Sequence, residues 1–439
     1  MDQVLSKGLV CFPWGVEPAD LGIEKGKIVR IEAPGKLSGA ETLDCSNLHV
    51  MPGVIDSQVH FREPGLEHKE DLHTGTKAAV MGGITSILEM PNTKPPTTSK
   101  KALADKVERG VGRAFCDYGF FMGGTDDDFD WASLEAVPGC SGIKIFMGSS
   151  TGNLLVSEDE KIRNILGQSL RRSAIHCEDE QRLIERQKIA QDGGHPRFHH
   201  QWRDAQSAYQ ATDRLLRIAR EVGARVHVLH VTTAEEMELL AQNKDICTVE
   251  VTPQHLTLNS DAYETIGSRA QMNPPIREES HRAALWEALR RGVVDVIGSD
   301  HAPHLLEEKA KQYPGSPSGM PGVQTILNLM LHHCNQGMLP LGQLVDLLCT
   351  SPARIYGIKN KGRIALGYDA DFSVIDLKHE WEVRDEDMVS KCGWTPYHGQ
   401  KWLGKARMTI IRGNLVMRED ELLGNPIGQV LSFEQGQDN

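Results

Sequence analysis

The feature that most constrains the fold of this chain is an alternation of short apolar runs with helical stretches, which begins near residue 50. The apolar runs that predict strands are 49–55, 84–90, 116–122, 142–147, 173–177, 226–231, 246–252 and 294–299. The stretches that predict helices are 69–82, 99–110, 178–190, 203–222, 233–243, 278–291 and 323–335. Strands that are apolar throughout are buried on both faces, as in a parallel sheet covered by helices. The pattern predicts an α/β fold with a (β/α)8 TIM-type barrel, and an open doubly wound sheet is the alternative.

Short alternating segments with turn residues flank this pattern on both sides. Before residue 50, the segment 22–31 predicts a hairpin with Lys25-Gly26 at its turn. After about residue 360 the alternation returns and continues through Gly413-Asn414. We expect the two β regions to pack together as a composite β-sandwich formed by both termini. The predicted divisions are 1–50 and 359–439 for the sandwich and 51–358 for the barrel, with a polar, frayed tail after Glu434.

Composition excludes several functional classes. The formal net charge of −12 argues against nucleic-acid binding. No apolar run reaches 18 residues, and the N-terminus lacks a basic segment followed by an apolar signal core, so we expect neither membrane insertion nor secretion. The nine cysteines are scattered without a C-x-x-C pair, which indicates free, buried thiols in a reducing compartment. We therefore expect a cytoplasmic protein.

Reactive side chains cluster at the ends of the predicted strands. In chain order they are Gln58, His60, Arg62, Asn92, Lys144, His176, His230, His255, Asp300 and His304. The carboxyl ends of barrel strands meet at one face, so these residues are expected to converge on one site. Three histidines and an aspartate gathered there could bind a divalent metal such as zinc. Each residue taken alone is more often an ordinary polar residue, and only the set favours a metal site.

Lys144 is unusual because it lies inside an apolar strand, Ile143-Lys144-Ile145-Phe146. Burying a bare ammonium group is costly. A carboxylate derived from CO2 on its nitrogen would turn it into an anionic oxygen ligand able to bridge two metals. The alternative is an ion pair with an acidic neighbour. Asp300, similarly, could act as a general base toward water or could cap the following helix.

The motifs of the chain resemble, in order and over nearly its whole length, those of the cyclic amidohydrolases, and most closely the dihydroorotases. They are Asp56-x-x-x-His60-Phe61-Arg62-Glu63-Pro64-Gly65, Glu89-Met90-Pro91-Asn92-Thr93, Gly142-Ile143-Lys144, His176-Cys177-Glu178-Asp179, His230-Val231-Thr232-Thr233, Met272-Asn273-Pro274-Pro275-Ile276-Arg277, Ser299-Asp300-His301-Ala302-Pro303-His304 and Gly367-x-Asp369-Ala370-Asp371. Taken together, these motifs are highly specific for the family, although most of them are not specific when taken one at a time.

The resemblance implies a role for each of these residues in the interconversion of dihydroorotate and N-carbamoyl-L-aspartate in pyrimidine biosynthesis. It implies that two zinc ions are held by His60 and Asp300, by His176 and His230, and by a bridging carboxylated Lys144. It implies that Arg62, Asn92 and His304 bind the substrate carboxylate, that Asn273 holds the ring and that Asp300 is the general base. The planar, bidentate guanidinium of Arg62 suits a carboxylate, which favours dihydroorotate over hydantoin or allantoin.

The chain departs from the family pattern at one position. Gln58-Val59-His60 stands where the family usually has His-x-His, and an amide oxygen is a poor zinc ligand compared with imidazole. We therefore expect one or two zinc ions per chain, with the first site weakened. Two alternatives stay open, another cyclic amidase of the hydantoinase or allantoinase kind, and a non-catalytic homologue that serves as an assembly partner. The family also implies a homodimer and a partnership with an aspartate transcarbamoylase.

Two other segments carry weaker predictions. His195, His199 and His200 lie in a polar stretch that predicts a solvated loop. The segment 301–321 is rich in Pro, Gly and Lys, and we expect it to act as a lid that excludes water when substrate binds.

Overall fold

The computed structural model describes residues 1–127, 129–150 and 154–434, so the predicted frayed tail lies outside the described residues. The described strands form two sheets, one of nine strands and one of eight. In chain order they are β1 Gln3–Phe12, β2 Gly15–Glu24, β3 Lys27–Glu32, β4 Glu41–Asp44, β5 His49–Pro52, β6 Val54–Val59, β7 Ile84–Glu89, β8 Asp117–Gly123, β9 Cys140–Phe146, β10 Ser173–His176, β11 Val226–Val228, β12 Cys247–Val251, β13 Val296–Ile297, β14 Phe372–Glu382, β15 Lys401–Ile411, β16 Asn414–Arg418 and β17 Glu421–Leu422.

Helices follow most of the barrel strands. They are α1 Leu72–Met81, α2 Lys100–Gly110, α3 Trp131–Glu135, α4 Asp159–Gln168, α5 Glu180–Gly193, α6 His199–Trp202, α7 Ala205–Val222, α8 Ala234–Ala241, α9 Pro253–Thr257, α10 Ala262–Thr265, α11 Glu279–Arg290, α12 Leu306–Lys309, α13 Ile326–Asn335, α14 Leu341–Val345 and α15 Ser351–Tyr356. Short 3-10 turns lie at Pro196–Phe198, Gly267–Ala270 and Asp385–Asp387, and a π-helical turn lies at Asp346–Thr350. Within the described ranges, no helix combines the length and the hydropathy that a bilayer span requires.

The strands β6 to β13 form the predicted barrel. They lie in sequence order, and every neighbouring pair is parallel. The sheet closes at its carboxyl end, where His60 N–H donates to His301 O at 2.8 Å and Val59 forms a parallel bridge with His301. Asp56 strengthens this closure because its carboxylate accepts from Ser299 N–H at 3.0 Å. The prediction of a (β/α)8 barrel is confirmed.

The two ends of the chain form the second sheet together, as predicted. Its hydrogen-bonded order is β17-β16-β15-β14-β5-β1-β2-β3, with β4 beside β1. The N-terminal and C-terminal parts join where β5 pairs antiparallel with β14. The core of this sheet mixes residues from both parts, such as Leu21 and Val50 with Phe372 and Ile410. The predicted hairpin is present as β2 and β3, and positive φ angles at Lys25 and Gly26 form its turn.

The apolar run 49–55, predicted as one strand, is divided between the two sheets. β5 ends at Pro52 and β6 begins at Val54. Gly53 lies at the passage, where a Cβ atom would stand only 2.2 Å from Thr85 Oγ1. The prediction of a single strand was wrong because an unbroken apolar run does not show where a chain leaves one buried sheet for another.

All nine cysteines are free and eight of them are buried, in agreement with the sequence. The structure also shows β11 and β13 to be shorter than predicted. The residues that follow them leave the sheet early and line the pocket described below.

A buried ion-pair network joins the barrel to the terminal sheet. Lys361 Nζ lies 2.6 Å from Asp117 Oδ2, at the start of β8, 3.1 Å from Asp369, and in contact with Asp371. Burial alone would lower the pKa of Lys361, but the three carboxylates outweigh that effect and raise it. Arg412 binds Asp117 from the sheet side. The network therefore fixes the position of the sheet against the barrel.

Lys361→Met is expected to lower the free energy of unfolding by roughly 3–5 kcal/mol, because it leaves buried carboxylates without their cation. Urea unfolding of both proteins measures the difference. Arg217→Met removes an exposed ion pair with Asp213 and serves as the control, with a change below about 1 kcal/mol. Equal effects of the two substitutions would contradict a structural role for Lys361.

Candidate active site

The carboxyl ends of the barrel strands surround a narrow pocket. Its lining residues come from several different strands and from the loop after β13, and they are Gln58, His60, Arg62, Asn92, Phe146, Ser150, His176, His230, Asn273, Asp300, Ala302, Ser318 and Gly319. Seven of the nine residues to which the resemblance gives a role are among them, together with Gln58. Lys144 and His304 lie just behind the wall, in contact with Phe146 and Arg62. The structure thus brings together residues that are up to about 240 positions apart in the sequence.

Three pocket residues have a left-handed backbone, which is uncommon for residues other than glycine. The φ angles are 65° at Arg62, 37° at His230 and 44° at Asp300. Each of these residues follows the end of a barrel strand, and the turn directs its side chain into the pocket. Backbone strain of this kind persists only where the surrounding structure enforces it, and it is typical of functional sites.

One half of the pocket is built around His60 and Asp300. His60 Nδ1–H donates to Asn92 Oδ1 at 2.8 Å, so the lone pair on Nε2 faces the pocket. That Nε2 lies 3.1 Å from Asp300 Oδ1. Gln58 Nε2–H donates to the same oxygen, Asp300 Oδ1, at 3.1 Å. Gln58 therefore presents an N–H donor to the carboxylate in the place where an imidazole would present a lone pair.

The other half of the pocket is built around His176 and His230. His176 Nε2–H donates to Glu178 Oε2 at 2.8 Å, which leaves its Nδ1 facing His230 Nε2 at 3.1 Å. Burial by itself would raise the pKa of the Glu178 carboxyl, but Arg203 and His176 outweigh it and hold that pKa well below its usual range. A carboxylate behind a histidine fixes the tautomer and aims the free nitrogen, as in many metal sites. Glu178 and Arg203 are functional residues that the sequence reasoning missed, although Glu178 stands in the quoted motif.

Lys144 lies beside the two histidines with its nitrogen buried and without a hydrogen-bond partner among the described residues. Its Nζ is 4.4 Å from the centre of the Phe146 ring. Burial lowers the pKa of this amine to about 7, although Asp300 acts in the opposite direction. A substantial part of the amine is therefore uncharged near neutral pH, the form that can react with CO2. The sequence alternative of an ion pair with an acidic neighbour is not present among the described side chains.

The donors of the pocket fall into two pairs. In the described part of the chain, no three His, Cys, Asp or Glu side chains gather around a common point. They form two pairs instead, His60 with Asp300 and His176 with His230. Each pair needs a further ligand, and Lys144, next to the second pair, could supply an oxygen to both if its nitrogen carried a carboxylate. His230 Nδ1 and Gln58 Oε1 are also buried and have no hydrogen-bond partner among the residues that the structure describes.

Arg62 forms the opposite wall of the pocket, where it is buried and forms no ion pair with a carboxylate of the described residues. Its Nε–H donates to Pro303 O at 3.3 Å, and burial lowers the pKa of the guanidinium to about 10, so it stays charged at neutral pH. His304 lies beside it, with Nδ1 accepting from Lys69 Nζ at 3.0 Å and Nε2–H donating to Ser318 O at 3.0 Å. Lys69 was not predicted, because nothing in its local sequence distinguishes it from a surface lysine.

The segment 195–200 does not form the predicted solvated loop. His199 is only 1% exposed, and its Nε2–H donates to Asn273 Oδ1 at 2.9 Å and to Met272 O at 3.1 Å. The prediction was wrong for this residue because flanking polar residues concealed a contact made with a distant loop. His255 has a similar supporting role, since its Nε2–H donates to Pro274 O at 3.0 Å. Both histidines position the loop that carries Asn273.

The sequence profile of the amidohydrolase family matches residues 49–416. The chain belongs to this family. Among its relatives, a dihydroorotase from Pyrococcus abyssi is 37% identical over 419 residues, which is 93% of each chain. A dihydroorotase from Methanothermobacter thermautotrophicus is 35% identical over 407 residues, or 92% of each chain. The resemblance found in the motifs is therefore confirmed.

Solved structures of related enzymes share the fold of the whole chain. The L-hydantoinase from Arthrobacter aurescens superposes with a TM-score of 0.93 at 28% identity, and the alignment covers 98% of this chain and 99% of that one. A dihydropyrimidinase from Brevibacillus agri gives a TM-score of 0.93 at 26% identity with complete coverage of both chains. These family members, like the dihydroorotases, are hydrolases of cyclic amides, and the prediction of a hydrolase of this class is confirmed.

The burial of Lys144 predicts that the metal-free protein loses stability to this residue by an amount that depends on pH. Above about pH 7 the folded chain releases a proton that the unfolded chain holds up to about pH 10.5. The unfolded state binds more protons in this interval, so Lys144 makes the free energy of unfolding rise with pH by up to about 1.4 kcal/mol per unit. Lys144→Met removes the cost. The variant should therefore be the more stable protein at pH 7, with the difference closing as the pH approaches 10.

Urea unfolding at pH 7, 8 and 9, after metal removal and in bicarbonate-free buffer, measures this difference. Lys188→Met, at an exposed position, is the control and should show no such convergence. A difference between wild type and Lys144→Met that stays constant over this range would contradict the assignment of an uncharged amine.

Proposed function

We propose that this chain interconverts dihydroorotate and N-carbamoyl-L-aspartate, as a dihydroorotase of pyrimidine biosynthesis. The observation that carries the proposal is Arg62, a buried guanidinium that faces the His and Asp pairs and forms no ion pair with a carboxylate of the described chain. A buried cation of this kind is costly unless an anion joins it. The ring carboxylate of dihydroorotate would supply that anion, and the dihydroorotase relatives support the choice of substrate.

The proposed cofactor is zinc, held by His60 and Asp300 on one side and by His176 and His230 on the other, with a carboxylated Lys144 between them. Three observations support such a site. Lys144 Nζ has no partner among the described residues, His60 and His176 each direct a lone pair into the pocket, and a carboxylate lies behind His176. When bound, zinc polarises a carbonyl and lowers the pKa of water. Gln58 weakens the first pair, so the number of ions per chain is one or two.

The residues of the chain then divide the chemistry between them. Arg62, assisted by Asn92 and His304, would hold the ring carboxylate and so place the ring amide between the two pairs. Asn273, positioned by His199, would hold the ring. Asp300 would accept a proton from the attacking water and deliver it to the ring nitrogen as the carbon–nitrogen bond breaks, and the reverse sequence would close the ring.

Three further inferences from the sequence stay predictions. They are the homodimer, the aspartate transcarbamoylase partner and the cytoplasmic location. The lid is also still a prediction, although Ser318 and Gly319 of segment 301–321 line the pocket. Lys309 Nζ donates to Pro317 O and Gly319 O at 2.8 and 2.9 Å and so holds this segment in place.

A pair of substrates tests the role of Arg62. Dihydrouracil is the ring of dihydroorotate without its carboxylate. Arg62→Met is expected to lower kcat/KM for dihydroorotate by about 30-fold or more, because a buried charged contact is lost, and to change dihydrouracil turnover little. Asp300→Asn is the matched control and should remove turnover of both substrates.

Steady-state assays on the two substrates with wild type and both variants separate the candidate functions. A wild type that prefers dihydrouracil or hydantoin, and that loses nothing in Arg62→Met, would contradict the dihydroorotase assignment and favour the activities named for the solved structures. Absence of turnover on every ring, after zinc and bicarbonate are supplied, would favour the non-catalytic homologue.

Gln58→His is expected to raise the zinc affinity of the chain at least about tenfold, because it replaces an amide donor with an imidazole lone pair beside His60. Competitive titration with a zinc chelator, followed by metal analysis, measures the affinity and the number of ions. Gln58→Asn keeps the amide and should leave the affinity unchanged. Equal affinity in Gln58→His and wild type would show that residue 58 does not face a metal.

A further inference from the structure

A second cavity lies at the opposite end of the barrel, where the strands begin, and it has a volume of about 440 Å3. Arg171 and Arg172 directly precede β10, and Arg225 directly precedes β11. The end of α15 supplies Arg354 and Tyr356. The volume falls within the range of about 300–1,000 Å3 that is typical of small-molecule sites. The proposed function makes no use of this cavity.

The lining of this cavity is strongly cationic in a chain whose net charge is −12. Its charged residues are Arg171, Arg172, Arg225, Arg354, Lys361 and Arg363, with Glu434 as the single carboxylate among the described lining residues. With this net charge, a randomly chosen part of the protein surface is expected to be negatively charged. The local excess of positive charge is therefore a property of the site.

The arginines of the cavity differ from those that stabilise the fold. Lys361 is neutralised by its three aspartates, and Arg171 donates to the carbonyl oxygens of Glu135 and Glu434. Arg172, by contrast, has no side-chain partner among the described residues, and its Nη1 is buried without a hydrogen bond. Arg354 lines the same cavity and is exposed.

The positive groups also repel one another. Burial, together with the charges of Arg225 and Arg354, lowers the pKa of the Arg172 guanidinium. A fold gains nothing from a half-buried guanidinium that is left unpaired and repelled by its neighbours. An anion placed among these groups would satisfy the open donors and remove the repulsion.

We propose that this cavity binds a small molecule that carries a phosphate group. A phosphate ester has a charge near −2 at pH 7 and three acceptor oxygens, which match several guanidinium groups better than a single carboxylate does. Guanidinium forks bind phosphate in a bidentate manner. The concave shape at the end of the barrel suits a small molecule, whereas an acidic protein surface would not reach into it.

The test is isothermal titration calorimetry of the full chain with glycerol 3-phosphate, in phosphate-free buffer. We expect saturable binding at one equivalent, and weaker binding of succinate. Arg172→Met and Arg354→Met should each weaken binding about 10- to 100-fold, since each removes a charged contact. Arg290→Met, which removes an exposed arginine paired with Glu287, should leave it unchanged.

Two controls make the result specific to this cavity. Arg62→Met should bind glycerol 3-phosphate like the wild type, and its loss of binding would place the phosphate in the catalytic pocket and overturn the proposal. Absence of saturable binding to the wild type, equal weakening by Arg290→Met, or tighter binding of succinate would overturn it as well. Because the readout is binding alone, the result is independent of whether dihydroorotate is the substrate.

Thermal unfolding provides a second test, because replacing an arginine that stabilises the fold and replacing one that binds a ligand should change Tm in opposite directions. Without ligand, Arg172→Met should raise Tm, because it removes a repelled and unpaired charge. With glycerol 3-phosphate, the wild type should gain stability by mass action and the variant should not. A lower Tm for ligand-free Arg172→Met would show that the guanidinium supports the fold and would contradict the proposal.

Discussion

The closure of the barrel between its first and last strands is the constraint on which the rest of the structure depends. His60 N–H bonds to His301 O, and Ser299 N–H bonds to Asp56 across the same seam. These contacts join segments that are separated by about 240 residues. Without them, His60 and Asp300 would not meet, and the pocket would lack the pair on which half of its proposed chemistry rests.

The pocket is made of groups that the fold leaves unsatisfied. Among the described residues, the buried amine of Lys144 has no hydrogen-bond partner, Arg62 forms no ion pair with a carboxylate, and one ring nitrogen of His230 is unbonded. Each is unfavourable for folding, and the extensive apolar core around the barrel offsets the cost. Arg172, in the arginine cavity at the other end of the barrel, likewise has a buried donor that the described residues leave without a hydrogen bond. We interpret that cavity as a binding site for this reason.

Gln58 sets this chain apart from the family pattern without removing the site. Its amide donates to Asp300 and so holds that carboxylate in position beside His60. The other pair keeps both imidazoles, His176 and His230, with Glu178 behind His176. The expected consequence is an asymmetric pair of metal sites in which the second side is the stronger, a difference that metal titration can resolve.

The sequence by itself determined the barrel, the shared terminal sheet and the family, because apolar periodicity and motif order report burial and chemistry residue by residue. It identified eight of the residues that line the pocket, seven by their place at the end of a strand and Asn273 by its motif. Only the tertiary structure decided which groups support them: Asn92 behind His60, Glu178 behind His176, Lys69 beside His304 and His199 beside Asn273. It also decided that the run 49–55 divides at Gly53. The physical reason is the same in each case, because a hydrogen-bond partner or a change of sheet depends on atoms that distant parts of the chain bring together.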